Sequence, residues 1–172
     1  MPDAASKPRA ASASRPRRWL FKSEPSAYSI ADLERDGRTR WDGVRSYQAR
    51  NLIRDALMPG DLGLFYHSST SPAGVVGLLR VASEPLADGT QFDPSSRYFD
   101  ARATVAAPRW WTLEVEFVER FVELVPLATL RRTAALEGMM VLARGARLSI
   151  QPVREAHFRL VLRLARARTI LP

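Results

Sequence analysis

The sequence predicts an α+β protein, a small and mostly antiparallel β-barrel of about five to six strands with peripheral helices. Three observations predict this class. Short apolar runs, some alternating with polar residues, end at Pro, Gly or Ser, as strands do. Amphipathic stretches preceded by capping residues lie between and after these runs, which indicates helices. The segments do not follow a regular strand–helix–strand repeat, so a doubly wound parallel sheet is not expected.

The first half of the chain is predicted to contain three strands and two helices. Apolar runs predict strands at residues 18–23, 61–67 and 75–82. Capping residues and apolar spacing predict helices at residues 30–36 and 47–57. Ser29 and Asp32 have the spacing of a capping box, and Gly37 suits the C-terminus of the same helix. Ser46 suits the N-cap of the second helix.

The second half begins with a long, turn-rich segment at residues 84–108, which indicates a functional or mobile loop. Residues 110–121 then carry the clearest strand signal, because apolar and polar residues alternate with a period of two. One face of this strand consists of Trp111, Leu113, Val115 and Phe117. Helices are predicted at residues 127–132, 134–143 and 154–167. A short strand at residues 147–151 is predicted to end at Pro152.

Length and composition exclude several classes of protein. The 172 residues suit one domain, and a hydrophobic content of 46% with four Trp excludes a wholly disordered chain. The absence of cysteine excludes disulfides, thiolate metal sites and a cysteine nucleophile. No apolar run approaches the ~20 residues that a membrane-spanning helix needs, so no membrane association is expected.

The charge of the chain is strongly basic, with 26 Lys and Arg against 18 Asp and Glu and a formal net charge of +8. Residues 1–17 are rich in Ala, Ser, Pro and basic side chains and contain no apolar segment, which is typical of a disordered basic tail. A basic chain attracts polyanions without sequence preference. Because 24 of the 26 basic residues are Arg, a bias that codon composition alone can produce, charge gives nucleic-acid binding only weak support.

An ordered set of short motifs carries a resemblance to the EVE domain family, to which the thymocyte nuclear proteins belong. The motifs are WLFKSEP at 19–25, WDGVR at 41–45, YQARN at 47–51, FYHS at 65–68, QFDP at 91–94, PRW at 108–110 and LSIQPV at 148–153. Each motif alone is weak, but their order and spacing over about residues 18–165 are specific. Ser46 departs from the pattern, since the family usually has Asn there.

The resemblance implies a PUA-like domain at residues 18–168. It also implies binding of DNA or RNA through a single base, a modified cytosine in DNA or a modified RNA base, with no cofactor and no catalysis. A bacterial member of the family is expected in the cytoplasm and a eukaryotic member in the nucleus. The sequence does not indicate an oligomeric state.

A protein that holds an unstacked base needs an aromatic plate, neutral polar groups for the base edge, and cations for the flanking phosphates. The motifs supply candidates for each part. The predicted base pocket consists of Ser23, Trp41, Val44, Phe65, His67, Ser68, Ser149 and Gln151. The predicted phosphate-binding residues are Lys22, Arg45 and Arg50. Trp41 suits a stacking plate and a lid on the core equally well, and His67 suits a ligand contact or a packed histidine equally well.

Two other functions stay open at the level of sequence. Lys22, Ser23 and Glu24 resemble the lysine, hydroxyl and carboxylate of ASCH-like amidohydrolases, which act on acylated nucleosides. The basic tail and the C-terminal helix suit a protein-interaction module. A metal site is not expected, because His67 and His157 lack the spacing of a metal-binding pair.

Overall fold

The computed structural model describes residues 16–172, so almost all of the predicted basic tail lies outside the described residues. The main sheet contains β1 (Arg18–Ser23), β2 (Arg38–Arg40), β3 (Leu62–His67), β4 (Gly74–Val81), β7 (Glu114–Pro126) and β8 (Ile150–Val153). A separate ribbon pairs β5 (Leu86–Ala87) with β6 (Trp111–Thr112). The helices are α1 (Ile30–Asp36), α2 (Tyr47–Asp55), α3 (Leu127–Arg132) and α4 (Glu155–Leu164).

The main sheet has the strand order β2-β7-β4-β3-β1-β8 and curls into a half-barrel. Strands β1 and β3 are parallel, and every other pairing in this sheet is antiparallel. The predicted α+β class and the mostly antiparallel arrangement of the strands are therefore confirmed.

Helices pack against both faces of the sheet, and a separate hydrophobic cluster lies on each face. Trp19 and Phe21 of β1 point into a cluster that includes residues of α1 and α2, whereas Leu20 points into a cluster that includes residues of α3 and α4. Because successive side chains of a strand point to opposite faces, a strand buried on both faces reads as a continuous apolar run. This explains why β1 contains the continuous apolar run 19–21, and β3 the run 62–66, rather than an alternating pattern.

Several local predictions are confirmed to the residue. The first strand covers 18–23 and the first helix covers 30–36. The Asp32 N–H donates to the Ser29 hydroxyl at 3.1 Å, and the Asp32 carboxylate accepts from the Ser29 N–H at 2.8 Å, which completes the capping box. Gly37 follows the helix with a φ of +71°, a conformation that costs glycine little. The face of 110–121 formed by alternate residues also packs together in one cluster.

Two predictions of secondary structure were wrong, and one strand was missed. Residues 134–143 form two short 3₁₀ turns rather than a helix, and Gly138 lies between them with a φ of +83°. Pro152 lies inside β8 rather than ending it, which is tolerated because β8 is an edge strand whose outer side needs no donor. Strand β2 was not predicted, because RTR has no apolar run.

The long segment 84–108 is ordered by buried hydrogen bonds. The fully buried amide of Gln91 donates to the carbonyls of Asp88 and Trp110 at 2.7 and 2.9 Å. Its oxygen accepts from the N–H groups of Arg109 and Trp110 at 2.8 and 3.0 Å. The Gln91 side chain thereby joins the two ends of the loop. These buried hydrogen bonds hold the loop backbone in one conformation, which sets the positions of its side chains.

Candidate functional site

A cavity of about 460 Å³ lies beside the ends of β1 and β2, which is within the usual range of small-ligand sites. Four chain segments meet there: the end of β1 and the turn after it, the end of β2 and the loop that follows it, the long loop, and the residue that precedes β8. The lining residues are Lys22, Ser23, Glu24, Ala27, Tyr28, Arg40, Trp41, Asp42, Gly43, Val44, Arg45, Ser46, Arg97, Tyr98 and Ser149.

Trp41 and Val44 are the apolar side chains that lie deepest in this lining, with 9% and 7% of their surface exposed. The rings of Phe21 and Phe65 meet Trp41 edge-on, with centroids 5.3 and 5.6 Å away. Edge-on contacts of this kind fix the orientation of a ring. Trp41 therefore belongs to the core cluster and lines the cavity at the same time, while its role as a stacking plate stays a prediction.

The loop between Trp41 and Ser46 is held against the long loop by hydrogen bonds to one buried carboxylate, that of Asp88. Asp88 has no exposed surface and accepts hydrogen bonds from the Gly43 N–H and the Arg45 guanidinium, each at 2.9 Å. Thr90 donates two further bonds to it. Burial opposes the charge of Asp88, but these four hydrogen bonds outweigh it and hold the pKa of this carboxyl below its ordinary value.

Tyr98 forms one wall of the cavity and depends on Gly43. The Gly43 backbone has a φ of +84°, and a Cβ atom there would lie 2.5 Å from Cζ of Tyr98. Only glycine allows this conformation and this close approach together. The Tyr98 carbonyl also accepts two bonds from Arg45, at 2.7 and 3.0 Å.

Six of the sequence-predicted site residues come together in the cavity lining. They are Ser23, Trp41, Val44 and Ser149 of the predicted base pocket, and Lys22 and Arg45 of the predicted phosphate-binding set. The other five lie outside the lining: Phe65, His67, Ser68, Gln151 and Arg50.

Phe65 and Gln151 do not line the cavity, because both side chains are buried in the protein interior. Phe65 is fully buried behind Trp41. Gln151 is 1% exposed and lies opposite Leu20 of β1 in the pairing of β8 with β1. The Leu20 side chain belongs to the cluster on the face of the sheet away from Trp41. Its amide donates to the Leu148 carbonyl at 2.9 Å. Ser68 lies just beyond β3, where its N–H donates to the Ser23 carbonyl at 3.0 Å.

His67 acts as a hydrogen-bond acceptor at the start of α1 rather than as a lining residue. Its Nε2 atom accepts from the Ile30 N–H at 3.1 Å, which requires this nitrogen to be unprotonated. Burial, and secondarily the charge of Arg120, lower the pKa of His67 below its ordinary value. His67 is therefore held neutral as a structural residue.

A pH-dependent loss of stability is expected from this arrangement. Because the folded pKa of His67 lies below the ordinary value of 6.5, its contribution is complete above that pH and is lost as the pH falls further. Burial and Arg154 lower the pKa of His157 in the same direction. Thermal melts from about pH 8 to about pH 5.5 should show a falling Tm, and His67→Gln, which keeps an acceptor but does not titrate, should flatten the curve. A curve unchanged in both His67→Gln and His157→Gln would contradict this expectation.

The predicted phosphate-binding cations all have partners within the protein. Lys22 Nζ donates to the Ala146 carbonyl at 2.6 Å, and burial lowers the pKa of this amine. Arg45 is bound to Asp88, as described above. Arg50 donates to the Arg109 carbonyl at 3.1 Å and to its neighbour Asn51. These bonds hold the three side chains in position, and they occupy donors that a phosphate would otherwise accept from.

Two cations that sequence reasoning missed are better placed for that role. Arg40 and Arg97 are exposed, line the cavity and have no ion-pair partner in the part of the chain that the structure describes. Arg97 lies over the Tyr98 ring, 5.1 Å from its centroid. No local motif distinguishes Arg40 or Arg97 from the other arginines, so only their positions in the fold reveal them.

The cavity wall also carries polar groups suited to the edge of a base. The Ser23 hydroxyl donates to the Tyr28 carbonyl at 2.6 Å and keeps its acceptor capacity. Burial, and then Asp36, raise the pKa of Tyr28 to about 12, so its phenol stays neutral. Burial and the nearby Asp88 raise the pKa of Asp42. A carboxylate of this kind accepts hydrogen bonds from exocyclic amines such as N4 of cytosine.

Residues 16–172 contain no group of three or more His, Asp or Glu side chains placed to hold a metal ion. Within the same residues, no helix combines the length and the hydropathy needed to cross a lipid bilayer.

Comparison with known proteins gives consistent results. Human thymocyte nuclear protein 1 is 37% identical over 164 residues, which cover 85% of this chain and 72% of that protein. A crystal structure of a Pseudomonas syringae protein is 40% identical, with a TM-score of 0.82 over 86% of this chain and 99% of that one. The structure of human THYN1 in complex with DNA containing 5-methylcytosine is 34% identical, with a TM-score of 0.80 over 89% and 99%.

The sequence profile of the EVE domain family matches residues 17–164, which is most of the chain. The structure agrees with the PUA-like fold that the sequence motifs implied. This chain belongs to the EVE domain family.

Proposed function

We propose that this protein binds nucleic acid and holds one modified base, foremost a methylated cytosine, in the cavity beside Trp41, without catalysing a reaction on it. The observation that carries the proposal is the composition of the cavity. An aromatic ring and Val44 form an apolar base, neutral hydroxyls line the wall, and unpaired guanidiniums stand at the edge. These are the groups that stacking, methyl recognition and phosphate binding require.

The relationship to human THYN1 supports the same proposal. That protein has been crystallised with DNA containing 5-methylcytosine, and the match covers 99% of the crystallised chain and 89% of this one. At the 4-position of a pyrimidine, the carboxylate of Asp42 favours cytosine over thymine or uracil, because the N4 amine can donate to it whereas O4 cannot. The proposal therefore specifies a cytosine derivative in preference to a thymine derivative.

The hydrolase alternative retains one observation in its favour, since Lys22, Ser23 and Glu24 all line the cavity. The contacts of these residues favour binding instead. The Ser23 hydroxyl donates to a carbonyl rather than to a base, and Glu24 accepts from Ser69 at 3.2 Å. A nucleophilic hydroxyl needs a general base within hydrogen-bond reach. Incubation with N4-acetylcytidine should release no acetate; release that Lys22→Ala abolishes would establish the hydrolase.

The proposed function is tested by a binding panel. Single-stranded and duplex oligonucleotides, each with one cytosine, 5-methylcytosine, 5-hydroxymethylcytosine or thymine at a central position, are compared at two salt concentrations by fluorescence anisotropy. We expect tighter binding of the modified cytosines than of thymine. Equal affinity for all central bases would contradict a base-specific cavity. Binding that is insensitive to salt, with no competition among oligonucleotides, would favour a protein-interaction module.

The salt dependence of binding should identify the phosphate contacts. Each phosphate that a cation neutralises contributes about −0.7 to −0.9 to the slope of log affinity against log salt. Removing one phosphate-binding cation should therefore make the slope shallower by up to about 1. We expect this reduction for Arg40→Gln and for Arg97→Gln, with similar losses on all sequences. Arg163→Gln is the matched control, because this exposed arginine lies on α4, on the other side of the sheet. An equal slope change in the control would assign the effect to net charge alone.

A further inference from the structure

Arginine and aromatic side chains alternate in one continuous series that starts at the cavity wall. We call this series the arginine–aromatic ladder; its members are Arg97, Tyr98, Arg45, Trp110, Arg50 and Tyr47. Successive guanidinium carbons and ring centroids lie 5.1, 5.3, 5.3, 5.9 and 4.8 Å apart. All five separations are within cation–π range.

The two ends of the ladder lie in different environments. At the inner end, Tyr98 and Arg45 line the cavity. At the outer end, Tyr47 is 50% exposed and stacks on Trp110, with ring centroids 5.1 Å apart and an angle of 26° between the planes. Arg109 donates to the Tyr47 hydroxyl at 2.6 Å, so the outer ring is held from two directions. The ladder thus runs without interruption from the cavity to the protein surface.

The exposed charge along the ladder is positive. Its carboxylate partners are largely covered, since the side chains of Asp88 and Asp100 are 0% and 14% exposed. The guanidinium of Arg109 keeps 28% of its side-chain surface exposed beside Tyr47. A rigid aromatic surface with flanking cations is the combination that binds single-stranded nucleic acid without sequence preference.

We infer that the outer end of the ladder, Tyr47 with Arg50 and Arg109, binds a nucleotide that flanks the base held in the cavity. The inference rests on the proposed function, because it requires a nucleic-acid strand to leave the cavity along its wall. The outer end supplies the stacking surface and the positive charge, and its contacts do not depend on which base is modified. Affinity then comes from two separate places, specific at the cavity and non-specific at the ladder.

The test compares single-stranded DNAs that carry one 5-methylcytosine and an increasing number of flanking nucleotides on either side. For wild-type protein, affinity should rise when flanking nucleotides are added on one side. Tyr47→Ala should lose this gain, about 5- to 150-fold, because stacking of one base has that value. It should bind the shortest DNA as wild type does. Tyr47→Trp should restore the gain.

Phe99→Ala is the control, because Phe99 is 42% exposed on the long loop and does not belong to the ladder. Thermal melts of all variants establish that they are folded. If Tyr47→Ala binds long and short DNAs as wild type does, while replacement of Trp41 weakens both, the inference is wrong and the proposed function stands. If Tyr47→Ala weakens short and long DNAs equally, Tyr47 acts only through the shape of the cavity and the inference is again wrong. If no DNA binds wild-type protein, both fail.

Discussion

Replacing Trp41 with Leu is expected to weaken binding of an oligonucleotide that carries 5-methylcytosine by about 5- to 150-fold. Leucine fills much of the apolar space but removes the aromatic surface, and stacking of one base on an aromatic ring has a value of about 1–3 kcal/mol. Trp41 is the ring that both lines the cavity and is oriented by edge-on neighbours. Fluorescence anisotropy against the same labelled oligonucleotide measures the change.

The matched control for this variant is Phe65→Leu. Phe65 is fully buried and contacts the ring of Trp41, but it does not line the cavity. Both substitutions remove core volume, and truncation of a buried aromatic destabilises the fold by up to a few kcal/mol, so Tm should fall in both. Affinity should fall mainly in Trp41→Leu. Equal affinity losses at equal stability would show that core packing, rather than stacking, accounts for the effect.

Replacing Asp88 with Asn is expected to destabilise the protein by about 3 kcal/mol. The substitution leaves the Arg45 guanidinium without its charged partner, and breaking a buried ion pair from one side costs about 3–5 kcal/mol. For a domain of this size, that corresponds to a fall in Tm of roughly 6–12 °C. Binding should weaken as well, because Asp88 also holds the Gly43 N–H and hence the loop that carries Trp41.

The stability lost by Asp88→Asn should depend on pH, which distinguishes loss of the ion pair from a general loss of packing. Because the pKa of Asp88 is lowered in the fold, its contribution is complete above the ordinary carboxyl pKa of 3.8 and is lost as the pH falls through its lower folded value. Asp88→Asn should therefore lose most stability near neutral pH and little in strong acid. Asp93→Asn is the control, since the Asp93 carboxylate is exposed on the same loop and accepts its hydrogen bonds from the neighbouring Ser95. A similar fall in Tm for both variants would contradict the role of the buried pair.

The local elements of this protein follow from short stretches of sequence. The capping box of Ser29 and Asp32 defines the start of α1 because its hydrogen bonds join residues three apart. The apolar run 18–23 defines β1, and Gly43 in WDGVR defines a sharp loop. The sequence left Trp41 open between a stacking plate and a lid on the core, because the cavity beside it is formed by segments far apart in the chain. The motifs that identify the family are likewise short and ordered along the chain.

The direction of side chains near strand ends was decided by the tertiary structure. Ser149 lines the cavity, whereas Gln151, two residues later, points into the other core cluster. Residues two apart within a strand share a face, but Ser149 lies in the bend before β8, which begins at residue 150 rather than 147, so strand alternation does not set its direction. The composition of QPV does not reveal where pairing with β1 begins.

The partners of the arginines were also decided only by folding. Arg45 binds Asp88 and Tyr98, which lie 43 and 53 residues away. Arg40, five residues before Arg45, has no ion-pair partner within 4 Å among residues 16–172. A local motif cannot distinguish these two side chains, because burial of a charge depends on which distant loop packs against it. The family and most of the helices and strands follow from the sequence alone, because their signals lie in short stretches of the chain. The tertiary structure decided which cations remain free and which rings line up from the cavity to the surface, because both depend on contacts between segments far apart in the chain.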